Sequence, residues 1–352
     1  MTGTTTGTTV RTPTPEPSVL RVSALTKRYG PGTSWLSRLA NGRAGTLTAL
    51  DGVDLHVRPG EILALVGESG SGKSTLAKIL VGSTTPTSGE VSVAGEPAPA
   101  RRDKESSRRV QMVFQDPYSS LNPRIPVGRM LSELLLLHKV VPRSEVRAES
   151  VRLLNLVGLE EDVLGAYPSQ FSGGQRQRLA IARALAVRPE VLIADEPVSA
   201  LDVSVQATIL ELFATLRTEL GLSILFIAHN LAVVQHLADR VAVMYLGRIV
   251  EVAPTAQLFT EPRHPYTRAL IDSIPRMTET SVNDEFEVEG EPPSPYDVPA
   301  GCRFHPRCPL ASEICRENDP PLLTVGPAHE SACLKAGELA LIPLPEPTQE
   351  HA

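Results

Sequence analysis

The sequence predicts an α/β fold, and one continuous stretch of the chain carries most of that prediction. Ile62–Val66 is an unbroken apolar run of strand length. It is followed by the glycine-rich stretch Gly67–Thr75, and then by Leu76, Ile79 and Leu80 at helical spacing. A buried strand, a glycine-rich turn and an amphipathic helix in immediate succession are typical of an open α/β sheet.

Length and composition are those of an ordinary globular protein. The chain has 352 residues, of which 41% are hydrophobic and 21% are charged, enough for a large core and about two domains. The net charge of −6 gives no reason to expect a nucleic-acid surface, so no nucleic-acid partner is predicted. No apolar run approaches the ~20 residues that a membrane span needs. We therefore expect a cytosolic protein, unless a partner holds it against a membrane.

The composition of the chain changes towards both ends. Residues 1–18 are rich in Thr, Pro and Gly without an apolar segment, which is typical of a disordered tail and not of a signal peptide or anchor. Residues 341–352 are expected to form a second tail. Between them we expect a main domain at 19–276 and a small extension at 277–340, which contains all four cysteines.

The glycine-rich stretch has the residue types and the spacing of a phosphate-binding loop. Gly67 and Gly72 lie five residues apart and are followed directly by Lys73 and Ser74. The glycines allow backbone N–H groups to turn towards an anion at the helix N-terminus. Lys73 would reach the β- and γ-phosphates, and the Ser74 hydroxyl would ligate Mg²⁺. We therefore predict a nucleoside-triphosphate site formed by Gly67, Glu68, Ser69, Gly70, Ser71, Gly72, Lys73, Ser74 and Thr75.

Two strands and an insertion are predicted upstream of this loop. Val19–Val22 begins the first strand, and Leu50–Val57 looks like the second. Tyr29 lies after the start of the first strand, where an aromatic ring can stack on an adenine face or can be an ordinary edge-strand side chain. The intervening stretch 30–46 is punctuated by glycine and carries Trp35, which predicts a long hairpin loop with one helical turn.

Three further apolar strands end in polar residues, and open α/β sheets bind ligands at that edge. The first of these strands is Val110–Phe114, which is followed by Gln115. The second is Val191–Ala194, followed by Asp195 and Glu196, and the third is Ile224–Ala228, followed by His229. A carboxylate at such a strand end can hold Mg²⁺ through water, and the next one can polarise an attacking water. His229 can donate to a γ-phosphate oxygen, or can be a helix cap without a function.

Strand signals are missing between about 127 and 187, where leucines at helical spacing predict an inserted helical subdomain at about 116–187. Within it, Ser172, Gly173, Gly174 and Gln175 open a predicted helix. Paired glycines there present free N–H groups to a second anion, although a glycine-rich cap without a ligand is also common.

Taken together, these residues resemble the ATP-binding-cassette ATPases, with seven elements in that family's order over about 19–252. They are Tyr29, Gly67–Thr75, Gln115, Ser172–Gln175, the pair Asp195 and Glu196, Ser199–Asp202, and His229. The resemblance implies a P-loop NTPase core with an antiparallel β subdomain and an inserted helical subdomain. It also implies ATP and Mg²⁺ as cofactors, with Mg²⁺ held through Ser74, Gln115 and Asp195.

The same resemblance implies a role for each group. Glu196 would position the attacking water, His229 would hold the γ-phosphate, and Lys73 would stabilise charge on the transferring phosphoryl. Gln115 would link Mg²⁺ to the membrane-facing surface of the helical subdomain. Two such domains would sandwich two ATPs head to tail. The groups at the dimer contact would be Ser172, Gly173, Gly174 and Gln175 on the partner's ATP, with Ser199 and Asp202 beside them.

Within that family, the chain is similar to the ATPase subunits of oligopeptide, dipeptide and nickel importers. Gln115–Arg124 is similar to their glutamine loop, His264–Leu270 is similar to their C-terminal marker, and Asp195–Ser204 looks like the second of their two ATPases. Phe171 and Asn230 replace the usual Leu and Asp, but neither change removes a phosphate-contacting group. The resemblance implies a second ATPase subunit, two transmembrane permease subunits and an extracytoplasmic peptide-binding protein, with this chain peripheral on the cytoplasmic face of the membrane.

The four cysteines are clustered in the extension, at Cys302, Cys308, Cys315 and Cys333. Disulfides are not expected in a cytosolic protein, and four thiols in a small Pro-rich extension are typical of a shared metal. The spacing lacks the Cys-x2-Cys knuckles common in zinc sites, which favours an iron–sulfur cluster, while zinc and free thiols stay open. The resemblance implies a 4Fe–4S cluster. We expect this extension to be separate from the core that holds the phosphate loop.

Two other functions fit parts of the pattern. A nucleotide switch acting in translation or DNA repair usually carries two cassettes in one chain or a long coiled-coil insertion, and neither is visible in the sequence. A regulatory subunit without hydrolysis would be expected to have lost Glu196, His229 or the signature, and all three are present. An ATPase that powers peptide import is therefore the favoured prediction.

Overall fold

The computed structural model describes residues 17–30, 46–99, 101–116, 120–274, 288 and 290–339. The predicted insertion at 30–46 lies almost wholly outside the described residues, as do most of 1–18, all of 341–352 and the first part of the extension. Within the described residues, no helix combines the length and the hydrophobicity that crossing a bilayer would require.

The described strands and helices are interspersed along the chain, as expected for an α/β protein. The strands are β1 (Leu20–Tyr29), β2 (Leu47–Val57), β3 (Ile62–Val66), β4 (Ser88–Val93), β5 (Glu96–Pro97), β6 (Val110–Val113), β7 (Val191–Asp195), β8 (Ser223–Ala228), β9 (Arg240–Tyr245), β10 (Arg248–Pro254), β11 (Leu323–Gly326) and β12 (His329–Ser331). The helices are α1 (Lys73–Leu80), α2 (Lys104–Arg109), α3 (Val127–Leu137), α4 (Val146–Leu156), α5 (Gly173–Leu185), α6 (Val203–Leu220), α7 (Leu231–Val234), α8 (Thr255–Thr260), α9 (Pro265–Asp272), α10 (Glu313–Glu317) and α11 (Ala336–Leu339).

The strands form two sheets. The smaller one has the order β2-β1-β4-β5 and is antiparallel, which confirms the antiparallel subdomain. The larger one has the order β11-β12-β10-β9-β3-β8-β7-β6. Its strands β6, β7, β8, β3 and β9 are mutually parallel, and β10, β12 and β11 continue it in antiparallel pairs.

Alternate residues of β3 face two hydrophobic layers, because successive side chains of a strand point to opposite faces of the sheet. Ile62, Ala64 and Val66 face the layer formed with α3–α6 and the helical subdomain. Leu63 and Leu65 face the layer formed with α1 and the antiparallel sheet. β3 is wholly buried on both sides, so its sequence is continuously apolar.

Parallel pairing brings the ends of three strands to one edge of the large sheet. Val66 at the end of β3 pairs with Ala228, and Ile227 pairs with Asp195 at the end of β7. The phosphate loop, Asp195 and the residues after β8 therefore emerge side by side, as expected at the carboxyl edge of an open sheet.

The helical segment is inserted between β6 and β7. Its described residues contain α3, α4 and α5 together with short 3₁₀ turns, and no strand. Leucines of these helices, such as Leu131, Leu135 and Leu153, lie in the same hydrophobic layer as one face of the sheet. The predicted helical subdomain is therefore present.

The C-terminal extension is built onto the main domain, and the expectation that it is separate from the core of the phosphate loop is wrong. β12 adds to the large sheet by pairing with β10. The fully buried Phe304 ring lies 5.3 Å from the Tyr245 ring and 5.5 Å from the Tyr266 ring, in the layer that contains β3. Aromatic contacts at these distances are attractive beyond the area that they bury, so Phe304 anchors the extension.

Candidate functional site

The glycines of the phosphate loop stand where no side chain fits. A Cβ atom on Gly67, whose φ is +155°, would lie 2.1 Å from the Met244 carbonyl oxygen. On Gly72, whose φ is +113°, it would lie 2.5 Å from the Ala49 carbonyl oxygen. Glycine is therefore required at both positions, because the loop is pressed against β9 and against the residues of β2.

Lys73 is the first residue of α1, and its ammonium group lies over the loop. Nζ donates to the carbonyl oxygens of Gly67 at 2.6 Å and Glu68 at 2.9 Å, and the residue is 4% exposed. Burial lowers the pKa of Lys73, and the carboxylates of Glu196, Asp195 and Glu68 act in the opposite direction. A buried ammonium among loop carbonyls is suited to attract phosphate oxygens.

Ser74 and Asp195 form an oxygen-rich pair at the end of β7. The Ser74 hydroxyl lies 3.5 Å from Asp195 Oδ1, and Asp195 is 7% exposed. Burial, followed by the neighbouring charge of Glu196, raises the pKa of Asp195, while the Ser74 hydroxyl and the Lys73 ammonium lower it. A carboxylate beside a hydroxyl fits Mg²⁺, which prefers oxygen ligands and would favour the ionised form of the carboxyl.

The Glu196 carboxylate, which follows β7, is contacted by residues that follow the strands β6 and β8. Its Oε2 accepts a hydrogen bond from Gln115 Nε2 at 3.0 Å and lies 3.4 Å from His229 Nδ1. Gln115 Nε2 is also 3.3 Å from Ser199 Oγ. The φ of Glu196 is +45°, a left-handed conformation that side chains disfavour and that is concentrated at functional sites. Gln115, Glu196, His229 and Ser199 are therefore brought together, as the sequence predicts.

Tyr29 lies at the last position of β1 and is 37% exposed. Lys27 Nζ lies 4.8 Å from the centre of its ring, within the range of a cation–π contact. The ring is thus available at an edge of the antiparallel sheet, a position that fits both base stacking and an ordinary edge-strand residue.

The residues from Ser172 to Gln175 form a closed helix cap. Ser172 Oγ accepts from the Gln175 N–H at 3.3 Å, and Gln175 Oε1 accepts from the Ser172 N–H at 3.0 Å. A Cβ on Gly174 would lie 2.5 Å from Val205 Cγ1, so glycine permits the approach of α5 to α6. Across the parts of the chain that the structure describes, no hydrogen bond joins this cap to the phosphate loop of the same chain.

The loop after β7 carries Ser199 and Asp202. Ser199 Oγ donates to the Glu196 carbonyl oxygen at 3.0 Å, so it is tied to the strained residue. Asp202 stands before α6 without a side-chain capping bond, and the neighbouring Val203 is 82% exposed. This loop therefore presents polar and apolar groups outwards.

The four cysteines line one small cavity, together with Phe304, Pro265 and Leu334 among others. All four are free thiols. Burial raises the pKa of Cys308 and of Cys333 to about 12 and also raises that of Cys302. The Lys335 N–H donates to Cys333 Sγ at 3.3 Å. The sequence therefore brings the four thiols together as predicted.

The described side chains around this cavity do not have the arrangement of a metal site. In the described part of the chain, no group of three or more His, Cys, Asp or Glu side chains is arranged to hold a metal ion. The predicted iron–sulfur cluster thus has no support from metal geometry, and the convergence of the thiols is the observation that remains.

Two residues at the phosphate loop were not predicted. The Glu68 N–H donates to Tyr266 Oη at 2.7 Å, and the Glu68 carboxylate is gripped by Arg307 from the extension. Tyr266 lies in the stretch His264–Leu270 that resembles the peptide-importer marker and Arg307 lies between two of the cysteines, but nothing local in the sequence indicates a contact with a loop about 200 residues or more away.

Comparison with family models and known proteins places this site in a family. Residues 50–199 match the model described as ABC transporter, and residues 250–315 match the C-terminal region of the oligopeptide/dipeptide transporter. A probable peptide ABC transporter ATP-binding protein of Sinorhizobium fredii is 48% identical over 90% of this chain and 89% of its own length. A di/tripeptide transport ATP-binding protein of Pseudomonas aeruginosa is 46% identical over 87% of this chain and 94% of its own.

Solved structures agree with the fold. A dimeric ATP-binding cassette in a post-hydrolysis state with ADP and Pi has a TM-score of 0.57 at 28% identity, covering 67% of this chain and 98% of its own. A cassette of an ABC transporter complex from Clostridium perfringens has a TM-score of 0.59 at 28% identity, covering 70% and 92%. The phosphate loop, the strand-end residues and these similarities lead to one assignment. The chain belongs to the ATP-binding-cassette ATPases of ABC transporters, in the group that carries the oligopeptide/dipeptide transporter C-terminal region.

Proposed function

We propose that this chain is the ATP-hydrolysing subunit of a membrane importer that takes up di- or oligopeptides. The observation that carries the proposal is the convergence of Gln115, Glu196 and His229 beside the pair Ser74 and Asp195. The peptide cargo is supported by the names of the relatives and by the match of residues 250–315 to the oligopeptide/dipeptide transporter C-terminal region.

The residues of the site have separate roles in ATP hydrolysis. Lys73 draws the terminal phosphates to the N–H groups of the loop and stabilises charge that develops on the transferring phosphoryl. Ser74, Asp195 and Gln115 would hold Mg²⁺, which neutralises phosphate charge when it is bound. Glu196 accepts a hydrogen bond from the attacking water, and His229 holds a γ-phosphate oxygen in register.

The arrangement of the signature supports a two-chain site. Ser172–Gln175 is capped on itself and exposed at Ser172 and Gln175, so its helix N-terminus is free to meet the phosphates of a second chain. The loop with Ser199 and Asp202 would lie at the same contact. We propose a head-to-tail pair with a second ATPase subunit, docked on two permease subunits at the cytoplasmic face of the membrane and served by an extracytoplasmic peptide-binding protein.

We propose further that Cys302, Cys308, Cys315 and Cys333 hold a 4Fe–4S cluster, with structural zinc as the alternative. The support is chemical: four thiols without a disulfide line one cavity, and an N–H group faces one of the sulfurs. The spacing of the cysteines in the sequence also lacks the Cys-x2-Cys knuckles common in structural zinc sites, which favours the cluster.

The function is tested by reconstituting the chain with its permease subunits in lipid vesicles and measuring ATP-dependent uptake of labelled peptides. Uptake that requires this chain and stops with Glu196→Gln is the expected result. ATP hydrolysis that no di- or oligopeptide-loaded binding protein stimulates, with full stimulation by another class of solute, would contradict the peptide assignment and leave the ATPase assignment intact.

A further inference from the structure

A side chain of the cysteine extension holds the phosphate loop directly. Arg307 Nη1 lies 3.0 Å from Glu68 Oε2 and 3.2 Å from Oε1, and Nη2 lies 3.2 Å from Oε1. The side chains are 12% and 30% exposed, so the pair is partly shielded from water. Several charge-assisted bonds from one planar guanidinium fix orientation as well as distance, which a lysine cannot do.

The backbone of Glu68 is held as firmly as its side chain. Its N–H donates to Tyr266 Oη at 2.7 Å, and its carbonyl oxygen accepts from the Ser71 N–H at 3.2 Å and from Lys73 Nζ at 2.9 Å. Glu68 thereby joins the ammonium that faces the phosphates to two partners outside the loop. Arg307 is the one of those two partners that comes from the cysteine extension.

Arg307 lies in the turn between Cys302 and Cys308. The His305 N–H donates to the Cys302 carbonyl oxygen at 3.0 Å, and the Cys308 N–H donates to the His305 carbonyl oxygen at 3.4 Å. Arg307 Nε donates to the Gly290 carbonyl oxygen at 3.1 Å. These backbone bonds connect the positions of the two cysteines to the residue that carries the guanidinium.

The same turn is docked by two other side chains. Phe304 lies among the rings of Tyr245 and Tyr266, and the guanidinium of Arg303 donates to the Leu246 carbonyl oxygen and to Asp51. The turn is therefore a rigid bridge from the cysteine cavity to the nucleotide loop.

We propose that Arg307 is a positioning residue for the phosphate loop, and that through it the cysteine site and ATP binding stabilise each other. Loss of Arg307 would release the loop and leave the Glu68 carboxylate without this cation beside a site for phosphate. Coupling between two sites is reciprocal, so ATP that favours the held loop must stabilise the cysteine turn by the same factor. The inference rests on the nucleotide site of the proposed function and is independent of the transported solute.

The first test compares ATP dissociation constants of the full-length chain by isothermal titration calorimetry. Arg307→Ala should weaken binding by about tenfold, which corresponds to about 1.4 kcal/mol. Arg307→Lys should recover only part of the loss, because lysine keeps the charge and loses the fork. Arg316→Ala is the matched control and should bind as the parent does, since Arg316 follows Cys315 on α10 and is exposed. Equal affinity of Arg307→Ala and the parent would overturn the proposal.

A double-mutant cycle with Glu68→Ala separates positioning from a general effect of charge. If Arg307 acts through Glu68, adding Arg307→Ala to Glu68→Ala should change the dissociation constant less than about twofold. If the Arg307 charge acted on ATP at a distance, the full loss would persist without Glu68, and the proposed route would be wrong. Arg307→Lys and Glu68→Ala also supply the test should Arg307→Ala fail to fold.

The reciprocal effect is read at the cysteines, without any measurement of activity. In anaerobically purified full-length protein, saturating ATP should slow the reaction of the cysteines with a thiol reagent, and Arg307→Ala should abolish that protection. Protection that is equal in Arg307→Ala and the parent would refute the coupling. A parent that binds no ATP would instead refute the proposed function, so the two failures are distinguishable.

Discussion

Gln115 Nε2 donates a hydrogen bond to Glu196 Oε2 over 3.0 Å, across the ends of two neighbouring strands. β6 and β7 are parallel, and Val113 pairs with Ala194, so both side chains stand two residues beyond one paired position. The register of the sheet therefore places the amide on the carboxylate. The site depends on strand pairing as much as on the identity of its residues.

Gln115→Ala should reduce ATP turnover in the assembled transporter by about tenfold or more, because Glu196 loses the donor that orients it. ATP affinity of the isolated chain should change much less, since Lys73 and the loop N–H groups remain. Gln111→Ala is the control, because Gln111 lies on the same strand but donates to the Ser107 carbonyl oxygen. Equal losses for both variants would show a general defect of β6.

Lys73→Ala should abolish detectable ATP binding, because it removes the ammonium that faces the phosphates. Calorimetric titration with ATP checks this, with thermal denaturation to show that the variant is folded. Lys78→Ala, five residues later in α1, serves as the control and should bind ATP normally. If a folded Lys73→Ala variant bound ATP with unchanged affinity, the loop would not be part of the nucleotide site.

Asp195→Asn should stabilise the nucleotide-free protein while it eliminates Mg²⁺-dependent turnover. Burial raises the pKa of Asp195 above its usual 3.8, so the folded protein holds the proton more tightly than the unfolded chain does. The stability that this proton provides is complete below the unfolded pKa and is lost as pH rises through the folded pKa. The asparagine variant should therefore show a higher melting temperature at neutral pH and a smaller loss of stability across that pH window.

Asp162→Asn, at an exposed position, is the control for Asp195→Asn and should match the parent in both melting temperature and pH dependence. A melting temperature of Asp195→Asn at or below that of the parent would contradict the argument.

Phe304→Ala should destabilise the protein by about 3–5 kcal/mol, the usual cost of removing a buried aromatic side chain. Urea denaturation measures the change, and Phe114→Ala, whose ring is 40% exposed, should cost much less. A small loss for Phe304→Ala would mean that the extension is not anchored in the core by this ring.

A feature of the fold can be predicted from the sequence when the residues that determine it lie close together along the chain. The phosphate loop, β3 and α1 were predicted because glycine spacing, apolar runs and helical periodicity occur within about 20 residues. The hairpin of β9 and β10 and the three-residue β12 were not predicted, since the pairing partner gives them their identity as strands. The Arg307–Glu68 pair spans 239 residues, and with 34 Lys and Arg against 40 Asp and Glu no local pattern singles it out. The extension was taken as separate because its composition looked poor in core residues, yet the buried Phe304 ring and the pairing of β12 with β10 join it to the main domain.

The metal at the four cysteines is tested by purification without air. If they hold a 4Fe–4S cluster, the protein should be brown and carry about four irons per chain, and any single Cys→Ser change should bleach it. Ser312→Ala is the control, because it removes a hydroxyl that lies 3.7 Å from Cys315 Sγ but removes no thiol, and it should keep the colour. Stoichiometric zinc without iron would support the alternative, and neither metal would mean that the cysteines are reduced thiols.

The most direct test of the account is the ATP turnover rate of the assembled transporter carrying Glu196→Gln, with the partner subunit's own site inactivated. The carboxylate that orients the water is lost while the shape and the bond to Gln115 are kept. Turnover should fall by about 10²- to 10⁴-fold, the range for loss of a general base, while ATP is still bound. A rate close to that of the parent would show that Glu196 does not position the water, and the mechanism derived from this site would be wrong.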